Sequence, residues 1–133
     1  MKILARRIFE SGAVHVFGAF VLMGSWAVFA NWAYPMPRPL IAGFVQGTMS
    51  GIITLGLKHL LEMLVKRLSD LWALLVPPLF ACGLSITILG MIHSIAGTPE
   101  ILATLVVPVS VATLYAAVYT FGLWSKKGEG RDG

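Results

Sequence analysis

Four long apolar stretches, each separated from the next by only a few polar or prolyl residues, constrain this chain more than any other feature. They run approximately from Ala13 to Ala33, Leu40 to Val65, Leu71 to Ala96 and Ile101 to Trp124. About 20 apolar residues suffice for a helix to cross the hydrocarbon of a bilayer, where a helix satisfies its own backbone polar groups. The sequence therefore predicts an all-α integral membrane protein: one transmembrane domain over residues 1–133, a four-helix bundle made of two helical hairpins.

A soluble alternative fails on its surface. Apolar residues make up 57% of the chain and charged ones 12%, too few charges to cover a water-exposed domain of this size. The links are short: Tyr34 to Pro39, Lys66 to Asp70 and Gly97 to Glu100, none with room for a soluble domain. Prolines 35, 37 and 39 block helix continuation, while Pro99 and Glu100 suit the first turn of a new helix.

Orientation follows from the cations beside the spans, because loops rich in Lys and Arg are retained on the cytoplasmic face. One side carries Lys2, Arg6, Arg7, Lys66, Arg67, Lys126, Lys127 and Arg131, and the other only Arg38. An N-in, C-in topology with short basic cytoplasmic tails is expected. Trp32 and Tyr34 at the outer end, and Trp72 and Trp124 at the inner, suit the interfacial preference of their rings; Trp26 falls inside the span and is expected to pack within the bundle. The first apolar run is too long for a signal-peptide core and contains His15, so it is expected to remain as a helix.

The net charge of +4 flanks hydrophobic spans and forms no patch on a folded surface, so no nucleic-acid partner is expected. The single cysteine, Cys82, lies in an apolar run and excludes an intrachain disulfide and a cysteine metal cluster. No Ser-His-Asp set, paired intramembrane carboxylates or phosphate loop is present, so no enzyme activity, metal or cofactor is expected.

At about 100° per residue the second helix has one polar, small face holding Gly43, Gln46, Gly47, Ser50, Gly51, Thr54 and Lys58. Val45, Met49, Ile52, Ile53, Leu60 and Met63 occupy the opposite side, expected to face lipid. Glycines at 43, 47 and 51 let helix backbones approach closely. The third helix carries a narrower stripe of Gly83, Thr87, Gly90, Ser94 and Gly97. The two small faces are expected to meet, or to line a common interior. Pro77, Pro78 and Pro108 should loosen the helices that contain them.

Ionisable residues within spans are functional candidates, because charge is costly in hydrocarbon. They are His15, Lys58, His59, Glu62 and His93. Lys58 and Glu62 stand four residues apart and can pair. Lys58 also continues the face of Gln46, Ser50 and Thr54, making Gln46, Ser50, Thr54, Lys58 and Glu62 the candidate intramembrane pathway. A lysine at this depth can also snorkel to the headgroups with no function. His15 and His93 fall at opposite membrane ends, and each is expected to be an interfacial or hydrogen-bonded packing residue.

In length and hydropathy profile the chain resembles two groups of four-helix bacterial membrane proteins, the small multidrug-resistance transporters and the small proteins thought to flip polyprenyl-linked sugars. The membrane-embedded glutamate typical of the first group has no counterpart in helix one, where Glu10 lies at the border, so that proton-coupled mechanism is not implied. The sequence points to a transporter, flippase or channel-like protein of the bacterial inner membrane, working as a homo-oligomer. The alternative is an accessory or assembly subunit whose glycine faces dock on a larger membrane complex.

Overall fold

The computed structural model describes residues 1–10 and 12–132, with side chains at all of these except 5, 8–10, 131 and 132. Five helices follow in order: α1 Lys2–Glu10, α2 Gly12–Ala30, α3 Arg38–Arg67, α4 Asp70–Ala96 and α5 Ile101–Asp132. No strand occurs among the described residues, and α2 to α5 are each long and apolar enough to cross a membrane. The links 31–37 and 97–100 lie at one end of the bundle, here the prolyl end. Residues 66–70 lie at the other, the basic end.

The helix boundaries have local causes. Pro39 sits in the first turn of α3, where a residue without an N–H leaves no hydrogen bond unmade. Gly97 ends α4 in the left-handed conformation, φ 74°, and its amide reaches back to the carbonyls of His93 and Ser94. Expected as a packing glycine, Gly97 is instead a cap: a Cβ there would meet nothing within 4 Å, and its φ is what favours glycine. The interior prolines 77, 78 and 108 each remove one donor, yet α4 and α5 continue past them.

Two segments expected as tails are helical. Helix α1 carries exposed Lys2, Arg6 and Arg7 together with exposed Ile3 and Leu4, the composition of a helix that lies along a membrane interface. Helix α5 runs on past Trp124 to Asp132.

Helix α3 is the hub, packed against α2, α4 and α5. Against α2 it runs antiparallel, with Gly43 beside Gly24 and Val28, Gly47 beside Phe20, and Gly51 beside Val16. A Cβ on Gly47 would lie 2.9 Å from the Phe20 carbonyl oxygen and ring, and one on Gly24 would lie 2.9 Å from the Gly43 carbonyl oxygen. These glycines are therefore the means by which two backbones touch. Because α3 is covered on several sides, Ile53 and Leu60, expected on its lipid face, pack instead against the core of Leu57, Leu61, Ala81 and Ala116.

The small stripe of α4 does not meet α3. Among the described residues a Cβ on Gly83 or Gly90 would meet nothing within 4 Å, and Gly83, Thr87 and Ser94 are exposed. The face that α4 turns inward is the four-residue ladder Ala73, Pro77, Ala81, Ser85, Leu89 and His93, all buried. This ladder lies about half a turn from the glycines and places the bulky imidazole, which needs hydrogen-bond partners, inside the protein.

Candidate functional site

At the prolyl end, buried polar side chains tie the spans together. Gln46 and His93 are fully buried. The Gln46 amide nitrogen donates to Ser50 Oγ at 2.8 Å, so its Oε1 is left to accept from His93 Nε2 at 2.8 Å, and His93 Nδ1 pairs with the Thr98 hydroxyl at 2.6 Å. Both ring nitrogens of the imidazole thus have a hydrogen-bond partner.

A second buried cluster joins α2 to α5. Asn31, fully buried, donates to the Ala27 carbonyl and to Thr104 Oγ1, both at 2.8 Å, and its Oδ1 accepts the Glu100 amide at 2.9 Å. Trp26 Nε1 donates to the Ala103 carbonyl at 3.0 Å. Outside the spans, Tyr34 donates its hydroxyl to Glu100 Oε1 at 2.5 Å. That hydrogen bond, followed by desolvation and the carboxylate's charge, raises the phenol above its ordinary pKa.

All the α2–α5 hydrogen bonds described fall in this one region. Toward the basic end the core is built from α3, α4 and α5 alone, and other ties hold those helices together. Tyr119 donates to Glu62 Oε1 at 2.7 Å, Lys127 Nζ donates to the carbonyls of Val65 and Leu68 at 2.8 Å, and Trp124 Nε1 donates to the Asp70 carbonyl at 3.0 Å. Helix α2 meanwhile stays on the glycine face of α3.

Between the prolyl-end ties and that core lies a cleft of about 240 Å³, bordered by all four long helices. Ser50, Ser85 and Leu89 form its buried floor, at 7%, 3% and 1% exposure. Leu22 on α2 and Val111 and Tyr115 on α5 border it at 65%, 48% and 40% exposure. The exposed residues mark the mouth, which opens sideways between α2 and α5. His15 lines the same cleft from α2.

The residues expected to form a pathway divide. Ser50 and Thr54 line the cleft, and Gln46 stands behind Ser50 as its hydrogen-bond partner. Lys58 and Glu62 do not line it. Lys58 is exposed and Glu62 is held by Tyr119; no Lys58–Glu62 ion pair is found among the described residues. The four-residue spacing brings the two onto neighbouring faces, but Glu62 turns toward α5, where a phenol meets it.

Asn31 was not singled out in the sequence because it falls where the first apolar run ends, a position equally suited to a solvated cap. Of the two alternatives expected for it, His93 is the hydrogen-bonded packing residue, at the centre of a buried network. Its signal was its place on the ladder from Ala73, which is apolar but for Ser85. Among the described residues no three His, Cys, Asp or Glu side chains gather as a metal site requires. No known protein family, curated protein or solved structure matches this chain.

A cleft with hydroxyls on an apolar wall and no Asp, Glu, Lys or Arg among its lining residues can hold an apolar body and offer it a few hydrogen bonds.

Proposed function

We propose that this protein is a small multi-pass carrier of the bacterial inner membrane that admits a membrane-dissolved substrate sideways, between α2 and α5, and passes it toward the other leaflet. The observation that carries this is the cleft bordered by all four spans, tied shut at the prolyl end and open laterally. The cation asymmetry favours both termini and residues 66–70 on the cytoplasmic side, so the prolyl end would be external and the structure would correspond to a state closed outward. A homo-oligomer is the expected working form, since four helices enclose little volume.

A second possibility, an accessory subunit of a larger membrane complex, is favoured by one observation: the small-residue stripe of α4 at Gly83, Thr87, Gly90 and Ser94 faces away from the bundle. Purification in mild detergent separates the two. A carrier should emerge alone as a homo-oligomer, and Ala19→Phe, which fills the cleft, should abolish complementation of a deletion strain without changing membrane insertion or oligomer size. Foreign subunits in fixed stoichiometry, with full complementation by Ala19→Phe, would overturn the carrier in favour of the accessory subunit.

A further inference from the structure

We infer that the cleft takes a compact, uncharged molecule: a single ring system or short isoprenoid body bearing one hydrogen-bonding oxygen. This rests on the carrier proposal for the site and adds the chemical class of its ligand. Size sets the first limit. An apolar cavity of about 150 Å³ holds benzene, so about 240 Å³ has room for one or two rings and not for the paired chains of a phospholipid.

Charge sets the second limit. Apart from the imidazole of His15, no lining residue could serve as a counter-ion, since none is Asp, Glu, Lys or Arg, so an ionised ligand would lose its hydration for little compensation in a site walled by protein and lipid. Lys58 and Glu62, the nearest charges on α3, lie outside the cleft, and Glu62 already accepts from Tyr119.

The third observation specifies the oxygen. Thr54, Thr87, Ser94, Thr104 and Thr113 each turn their hydroxyl back onto the carbonyl four residues earlier in the same helix, the usual way a membrane helix satisfies a hydroxyl. Ser85 does not. It lines the cleft at 3% exposure and no hydrogen bond is described for it. Across the floor, Ser50 Oγ accepts from Gln46, which leaves its own O–H free to donate into the same space. A hydroxyl at the cleft floor without a protein partner gains from one, and a ligand oxygen that reaches Ser85 would supply it.

Three probes that share one ring system test this: naphthalene, 1-naphthol and naphthalene-1-sulfonate, measured by equilibrium binding to the full chain in nanodiscs, with empty discs subtracted. Saturable 1-naphthol binding is expected, blocked by Ala19→Phe within the cleft and by Leu22→Trp at its mouth. Ser85→Ala should weaken 1-naphthol about three- to tenfold, the worth of one net hydrogen bond, and leave naphthalene unchanged. Sulfonate bound as tightly as naphthol and blocked by the same two variants would overturn the neutral-ligand inference, and an unchanged naphthol affinity in Ser85→Ala would overturn the assigned ligand oxygen, each while preserving the cleft as a binding site. Absence of any binding sensitive to Ala19→Phe or Leu22→Trp would overturn the site itself.

Discussion

Replacing Gly47 with alanine adds one methyl group where α2 and α3 touch. The added Cβ would lie 2.9 Å from both the carbonyl oxygen and the ring of Phe20, against 3.4 Å or more for ordinary contact. The helices must therefore part by about 0.5 Å, and because the nearest atoms include backbone, no rotamer change of Phe20 removes the clash. Overpacking of this kind costs about 1–3 kcal/mol, here drawn from dispersion contacts along the whole interface, since Gly43 and Gly51 lie on the same line. Gly90→Ala is the matched control, because its Cβ meets nothing within 4 Å, and the higher helix propensity of alanine should leave stability equal or better by up to about 1 kcal/mol. The two variants should thus differ by roughly 1–4 kcal/mol, the sum of those two effects. Reversible unfolding in bicelles, followed by tryptophan fluorescence, measures the gap. If Gly47→Ala lies within about 0.5 kcal/mol of the parent, the scatter of neutral surface changes, the proposed backbone contact is wrong. A Gly90→Ala loss that disappears on dilution to monomer would instead place the α4 stripe in an interface between chains.

Asn31→Ala removes three hydrogen bonds and strands the Glu100 amide; at about 0.6 kcal/mol for an average bond between membrane helices, a loss near 2 kcal/mol is expected in the same unfolding assay. Lys58→Met should complement a deletion strain fully and leave stability within about 0.5 kcal/mol, because Lys58 is exposed and borders no part of the cleft; lost complementation with intact insertion would restore it to the pathway. Cysteines at positions 37 and 98 should be labelled from outside the cell and one at 68 only from inside, and outside labelling at 68 would refute the orientation. The raised Tyr34 pKa means that the folded state holds the phenol proton more tightly than the unfolded chain does, so its contribution to stability persists below pH 10.0, the ordinary value, and is lost as pH rises through the folded value. Tyr34→Phe should remove that alkaline phase from a stability profile; an identical profile in both proteins would show that the Glu100 contact contributes nothing.

The spans were legible because solvent decides them: a run from Leu40 to Val65 has few other ways to exist. The packing of Gly43, Gly47 and Gly51 was legible too, since three glycines on one line have a single mechanical use. Which partner they meet was not, because a short link makes α3 and α4 neighbours but does not set the rotation of either. In water a polar outer face would have fixed the rotation of α4. In a bilayer Leu and Ala serve equally inside and out, so the buried ladder from Ala73 to His93 resembled any other side of the helix. The cleft was illegible for a related reason, since residues as far apart as Leu22, Ser50, Ser85 and Tyr115 border it and each looks ordinary alone. Helix α1 went unread because nine residues are too few to reveal a period beside a strong hydrophobic run.

The buried amides also bear on how the chain enters the bilayer during synthesis. Gln46 precedes His93 by 47 residues, and Asn31 precedes Thr104 by 73, so each reaches the hydrocarbon long before its distant partner has left the ribosome. A bare carboxamide there would favour slipping back into water. Both amide groups, however, have a companion four residues away on their own strand of chain: Gln46 donates to Ser50, and Asn31 donates to the Ala27 carbonyl. Each can lodge with one N–H already covered, leaving its carbonyl oxygen outstanding and, on Asn31, the N–H that later meets Thr104. His93 and the Glu100 amide, arriving last, claim those two oxygens, so the final hairpin to emerge is also the one that locks the earlier helices in place.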